Sequence, residues 1–249
     1  MAPVSTSAIV LHTFRYGETS KIVRLATRDL GVQSAIAKGA MRENSRFGAK
    51  LETLSQGIAQ LYIKNTRELQ TLAEFEPTKI RRSLTNDVTR YAVAESLAEL
   101  VLRFSPAEPN PQLYDDLGHS LDRLETVETG QLSVYGLGAI WRQVCELGYE
   151  PALSHCARDG RQVGTGSAHF SVTEGGVLCK RCAVGRKARR LPAEDRLLLE
   201  SLIHGSADES TTLSKKRNAA HKRLLLRFVK QHLSEGREPK ALSYWESLD

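Results

Sequence analysis

Long apolar runs are missing from this sequence. No stretch approaches the roughly 18–20 residues that a membrane-crossing helix requires, so a helical membrane span is excluded. The opening Met1-Ala2-Pro3-Val4-Ser5-Thr6-Ser7 has no basic segment ahead of an apolar one, and no secretory signal is expected. Cysteine is scarce: four residues are too few to staple a disulfide scaffold in a chain of 249. The phosphate-cradling P-loop, the complete dinucleotide glycine fingerprint, G-x-S-x-G and H-E-x-x-H are all absent. Gly136-Leu137-Gly138 lies inside a helical pattern and has no third glycine. Acidic pairs such as Asp115-Asp116 sit on a polar helix face, where solvation explains them. Catalysis therefore has no visible machinery, and there is neither internal repeat nor low-complexity tract.

What is present is an ordinary globular composition, 41% apolar and 26% charged, which excludes wholesale disorder. The length allows one large domain or two to three small ones. Basic residues outnumber acidic ones 35 to 29, and the excess is uneven. Residues 1–80 carry 11 basic and 7 acidic groups, residues 81–150 carry 6 and 11, and residues 151–249 carry 18 and 11. Two basic regions thus flank an acidic one. Basic surfaces attract polyanions through long-range field and counterion release. The acidic middle leaves room for a protein partner.

Residues 5–76 read as short strands: Ser7 to His12, Lys21 to Ala26, Val32 to Lys38, Gly57 to Lys64 and Leu69 to Phe75. Turn signals at Tyr16-Gly17-Glu18, Asp29-Leu30-Gly31 and Asn65-Thr66-Arg67 separate them. Five strands in about 70 residues suit a small closed barrel, OB-like, better than a sheet with open edges. After Pro77 the period becomes helical. Helices are predicted from about Leu84 to Phe104, Pro111 to Val127, Gln131 to Leu147, Pro192 to His204 and Thr212 to Leu233. Pro106, Pro109 and Pro111 break the first from the second. Residues 149–190 are rich in Gly, Ser, Cys and basic groups and poor in large apolar ones. The expected organisation is α+β: a barrel over 1–79, a helical domain over 80–148 and 191–249, and a cysteine-bearing insertion over 149–190.

Three cysteines cluster in that insertion. Cys156-Ala157-Arg158-Asp159-Gly160 precedes Cys179-Lys180-Arg181-Cys182 by the interval of a zinc ribbon, but Asp159 stands where a second C-x2-C thiol belongs. Three thiolates and one carboxylate are on offer, with His155 and His169 as rival fourth ligands. The other reading is a knuckle that folds without metal, its cysteines serving as small apolar fillers. Bound zinc here is structural. Cys145, beside Trp141 and Leu147 on a helix, reads as core.

In the barrel, Arg15, Lys21, Arg24, Lys38, Arg42, Arg46 and Lys50 recur on strands and turns. The polar, glycine-bounded stretch from Ala37 to Gly48 reads as an exposed loop carrying one aromatic, Phe47. Cations that track phosphates plus a ring for base stacking are what an OB barrel uses on single strands. Lys21 and Arg24, three apart on a strand, point to opposite faces. Arg186, Lys187, Arg189 and Arg190 form a further run. Lys215, Lys216, Arg217, Lys222 and Arg223 form another at a helix start, where they oppose the helix dipole, which points to a ligand.

Taken in order, these segments resemble the bacterial RecO family of recombination mediators. The resemblance rests on Arg15-Tyr16-Gly17-Glu18-Thr19-Ser20-Lys21, Leu25 to Gly31, Ala37-Lys38-Gly39-Ala40 and Ser45-Arg46-Phe47-Gly48. It continues through Pro109 to Tyr114, Glu146 to Pro151, the Cys156 knuckle, Gly175 to Cys179, and Pro239 to Ser243. It implies an N-terminal OB fold, a helical domain and a zinc-finger-like insertion. It further implies a cytoplasmic, nucleoid-associated protein of the RecF pathway that is not an enzyme. Such a protein binds single- and double-stranded DNA, anneals complementary strands without ATP, and assists RecA loading on strands coated by single-stranded DNA-binding protein (SSB). RecR and the acidic, apolar SSB tail are the implied partners, though no motif here marks the tail's pocket. Zinc-bearing members have cysteine where Asp159 stands. Two alternatives stay open: an adaptor that binds SSB or RecR without touching DNA, and a zinc-ribbon RNA-binding factor.

Overall fold

Alternation of small and branched apolar residues builds the first half of the chain. In the computed structural model, which describes residues 2–64, 66–206, 211–234 and 237–248, strands β1 (Val4–Tyr16), β2 (Ser20–Thr27), β3 (Gly31–Ala37), β4 (Gln56–Tyr62) and β5 (Leu69–Lys79) close a barrel in the order β1-β2-β3-β5-β4. All pairs are antiparallel except β3 with β5. This confirms the OB-like barrel. Closure leaves no edge strand to aggregate. Asn65 of the turn before β5 lies outside the described residues.

The interior is made by Ala8, Val10, Val23, Leu25, Ala35, Ala59, Leu61, Leu72 and Phe75. Leu11 is an extra residue in β1: Val10 faces Leu25 and His12 faces Arg24. Such a bulge reverses the inward and outward phase of the strand beyond it. Gly57 is required by close approach, because a Cβ there would sit 2.2 Å from the Glu76 carbonyl oxygen. Pro77 is tolerated in β5 because the ladder is irregular at that point.

The link from β3 to β4 turns back on itself and forms a short 3-10 turn, Gly48–Leu51. Phe47 and Leu51 drop into the barrel core as its plug. The unit Met1–Thr126 is completed by α1 (Val88–Phe104) and α2 (Pro111–Thr126), so the first two helices share the barrel's compact unit. Asp87 caps α1 by accepting from the Arg90 N–H at 2.8 Å. The stretch from Leu84 expected as helix is a 3-10 turn, Arg82–Asn86, ahead of α1.

The unit Val127–Asp249 begins with α3 (Leu132–Glu146). A three-stranded sheet follows, where the sequence shows no strand period: β6 (Ala168–Ser171), β7 (Gly176–Leu178) and, after the one-turn α4 (Lys180–Ala183), β8 (Arg189–Leu191), in the order β7-β6-β8. Strands of three or four residues are too short to print an alternation. Helices α5 (Ala193–Ile203), α6 (Lys215–His232) and α7 (Lys240–Ser247) complete it. The sheet is anchored by Phe170, whose ring lies 6.5 Å from Phe228; Phe228 in turn meets Trp141 edge-on at 5.1 Å. No helix among the described residues is long and apolar enough to cross a membrane.

Candidate functional site

Two features of the barrel gather cations at one end. The register sets Arg15 directly opposite Lys21, and Lys21 opposite Ala37, the residue before Lys38. The loop after β3 is then tied to the β1–β2 turn: the Met41 N–H donates to the Thr19 carbonyl at 2.9 Å and the Gly39 N–H to Ser20 Oγ at 3.5 Å. Arg15, Lys21, Lys38 and Arg42 are thereby brought together. Among the described residues none of the four makes an ion pair, and neither does the exposed Arg46. Arg15 instead holds the turn by donating to the Gly17 carbonyl at 3.2 Å.

The other barrel candidates are placed elsewhere. Lys21 shares the inward parity of Val23 and Leu25, whereas Arg24 faces outward opposite His12. Lys50 is held by Glu76 at 2.8 Å. Phe47, expected as an exposed stacking ring, is 1% exposed and belongs to the core, with the Arg46 guanidinium over it at 5.1 Å. Its burial is the physical reason it cannot receive a base here. Phe14 and Tyr16 on β1 are exposed aromatics that the sequence reading passed over.

In the second unit the run at the start of α6 divides. Lys215 and Lys216 are exposed, beside the Ser214 cap. Arg217 is spent on Asp195, donating at 2.7 and 2.9 Å. Lys222 is 1% exposed: its Nζ donates to the Trp245 and Leu248 carbonyls at 3.3 and 2.7 Å and lies 4.9 Å from the Trp245 ring centre. It caps α7 and does not face outward, so its expected contact with DNA is corrected to an internal role. Helical spacing carried the signal, since Asn218, Lys222, Leu225 and Val229 fall on one buried face.

Arg223 does face outward. With Arg227 of α6 and Lys187, Arg189 and Arg190 of the β8 segment it rims a groove of about 840 Å³ whose floor includes Leu191 and Leu224. Lys187, Arg189, Arg223 and Arg227 have no ion pair among the described residues. The acidic side chain in the groove, Asp195, is already committed to Arg217 and to His221 Nε2 at 3.1 Å. Burial works to raise the Asp195 pKa, but these two partners outweigh it and hold the carboxyl below its ordinary value. Burial pushes His221 the other way, below the usual histidine value.

The cysteine cluster assembles. Sγ of Cys156, Cys179 and Cys182 and a carboxylate oxygen of Asp159 lie within 4.8 Å of one another. Asp159 Oδ2 is 3.6 Å from Cys179 Sγ and 3.4 Å from Cys182 Sγ. Ligands at about 2.0 Å (oxygen) and 2.3 Å (sulfur) from one tetrahedral ion stand about 3.5 Å apart, so the donor set fits a single ion. The turn is made by Gly160, at φ +69°, whose N–H donates to the Cys156 carbonyl. Burial disfavours the Cys156 thiolate, yet N–H donors of Cys179, Asp159 and Arg158 bring its pKa below the ordinary thiol value, as a metal ligand needs. Burial raises Cys182 instead. Of the rival ligands, His155 Nδ1 is taken by Ser154 Oγ at 2.8 Å, and His169 is an exposed residue of β6 outside the cluster. Cys145 is half-buried on α3, its pKa pushed up to about 12 by burial.

Residues 1–81 match the family model described as Recombination protein O N terminal, and residues 85–241 match Recombination protein O C terminal. The chain is 34% identical to the DNA repair protein RecO of Rubrobacter xylanophilus, across 73% of this chain and 72% of that one. It is 35% identical to the RecO of Bacillus subtilis, across 70% and 66%. It is 33% identical to that of a Nocardioides species, across 80% and 81%. With both family models in chain order over barrel and helices, this chain belongs to the RecO family of DNA repair proteins.

Proposed function

We propose that the protein is an ATP-independent recombination mediator of the RecF pathway. It binds single- and double-stranded DNA, anneals complementary strands, and helps place RecA on SSB-coated DNA in the cytoplasm. The observation that carries this reading is the group Arg15, Lys21, Lys38 and Arg42, with Arg46 further along the same loop, none of which forms an ion pair among the described residues.

Annealing requires no covalent step. Two strands repel through their phosphates, and a basic surface that holds both backbones lowers that repulsion. Base pairing then supplies the free energy. Phosphate contacts carry no sequence information, so binding is nearly sequence-independent. RecR and SSB are the proposed protein partners. The groove beneath Arg223 and Arg227 pairs an apolar floor with a cationic rim, which fits the acidic, apolar tail of SSB. We further propose that the ion held by Cys156, Asp159, Cys179 and Cys182 is zinc; when bound it supplies structural cross-linking of the knuckle. The chain's own residues do the rest: the backbone donors hold the Cys156 sulfur, and Arg181, 3.0 Å from Asp159, orients the carboxylate.

The test is annealing of SSB-coated complementary strands without nucleotide, with naked DNA binding measured beside it. Annealing and a steep fall of affinity with salt are expected. Retention of SSB or RecR without any shift of naked DNA establishes the adaptor instead, and a strong preference for RNA establishes the ribbon-type factor.

A further inference from the structure

The bulge at Leu11 has turned a strip of aromatic side chains to the outside of the barrel. Before it, Ala8 and Val10 point inward, so unbroken alternation would send Phe14 and Tyr16 into the core as well. The extra residue reverses the phase, and His12, Phe14 and Tyr16 line the outer face of β1. Phe14 is 44% exposed and Tyr16 50%. The His12 and Phe14 rings lie 6.0 Å apart and tilted by 34°. Leaving two large rings in water costs apolar burial, and the barrel does not need them there.

We propose that this strip is a stacking platform for the unpaired bases of single-stranded DNA. The inference rests on the DNA-binding reading above and names the part of the barrel that tells single strands from duplex. Residues two apart on a strand are separated by about 7 Å, twice the roughly 3.4 Å phosphate spacing of one strand in helical form. Phe14 and Tyr16 therefore take alternate bases. Charge complementarity decides the occupant: Arg15 and Lys21 alternate to the other face, but the strip ends at the β1–β2 turn, to which the loop carrying Lys38 and Arg42 is tied, so a polyanion with flat apolar faces matches the strip and the cations at its end. Arg24 stands opposite His12 on the same face, its Nε without a hydrogen-bond partner. A duplex keeps its bases stacked on one another and presents only phosphates to this end.

The experiment compares the full-length protein with Phe14→Ala, Tyr16→Ala and the double variant. The probes are a mixed-sequence single strand, the matching duplex and an abasic single strand of the same length. Each ring is expected to contribute about tenfold to single-strand affinity and the pair about a hundredfold. Duplex and abasic binding should stay within about twofold of wild type. Phe14→Trp gives a reading independent of the alanine variants' folding: its fluorescence should be quenched by the single strand and not by duplex. Trp141 and Trp245 are fully buried in the other unit and supply a constant background. Equal losses on all three probes, no loss, or no quenching in Phe14→Trp would overturn the platform while wild-type DNA binding stands. Failure of wild type to bind any probe would overturn the DNA-binding reading and the platform together.

Discussion

Replacing Lys222 by methionine tests whether its charge serves the fold or the ligand. The ammonium reaches the last carbonyls of α7, Trp245 at 3.3 Å and Leu248 at 2.7 Å, where the helix dipole favours a cation. A hydrogen bond from a charged donor contributes about 1.5–3 kcal/mol, the longer one at the low end. The buried cation–π contact with Trp245 adds about 2 kcal/mol. Against this, methionine removes the several kcal/mol that burying an ammonium costs. The balance is a net loss of about 2–3 kcal/mol, set chiefly by the lost charged hydrogen bond to the Leu248 carbonyl, since the Trp245 carbonyl keeps the Leu248 N–H as donor. For a chain of this size that lowers Tm by roughly 5–10 °C. Differential scanning calorimetry measures it, and single-strand affinity per folded molecule should be unchanged. The exposed pair Lys215→Ala and Lys216→Ala should do the reverse, leaving Tm within about 1 °C while weakening DNA binding. An unchanged Tm for Lys222→Met together with weakened DNA binding would refute the reasoning.

Charge reversal at Lys38, Arg42 and Arg46 should weaken DNA binding and flatten its salt dependence by about 0.7 log units per lost single-strand phosphate contact, at unchanged circular dichroism. Unchanged binding in that folded variant would remove the barrel from the interface. Asp159→Ala should lower zinc affinity at least tenfold in chelator competition, whereas Asp159→Cys should restore or exceed it; equal affinities in all three proteins would exclude the carboxylate as a ligand. Acid should destabilise the second unit in two steps. His221 is held below the ordinary histidine value, so the unfolded chain takes up the proton first; its contribution is complete above about 6.5 and is lost as pH falls below that. Asp195 is also depressed, and its contribution is lost only at lower pH, as its carboxylate protonates. His221→Gln should flatten the first step in a pH series of melting curves, and a first step that survives the substitution assigns it to another group.

The barrel was legible because period-two alternation needs only neighbours in the chain. Ile22, Arg24 and Ala26 against Val23 and Leu25 announce one face and then the other. The helices of the second half were legible for the same reason at a longer period, α5 and α6 above all. The short sheet and α7 were not, since three residues of strand or two turns around Leu242 and Trp245 leave too little pattern. Phe47 illustrates a different loss. A lone aromatic in a polar loop says nothing about its direction, which is set when the loop folds back on the barrel end.

The amino-acid order by itself determined the family, the five-stranded module, the uneven charge and the cysteine spacing, because each is written in local identity and periodicity. Tertiary structure alone decided which charges are free, which are spent on Asp195, Glu76 or the end of α7, and that Asp159 stands among the three thiols. It also decided that one added residue in β1 turns Phe14 and Tyr16 toward water. Those outcomes depend on groups remote in the chain meeting in space, and distance along the sequence carries no measure of that.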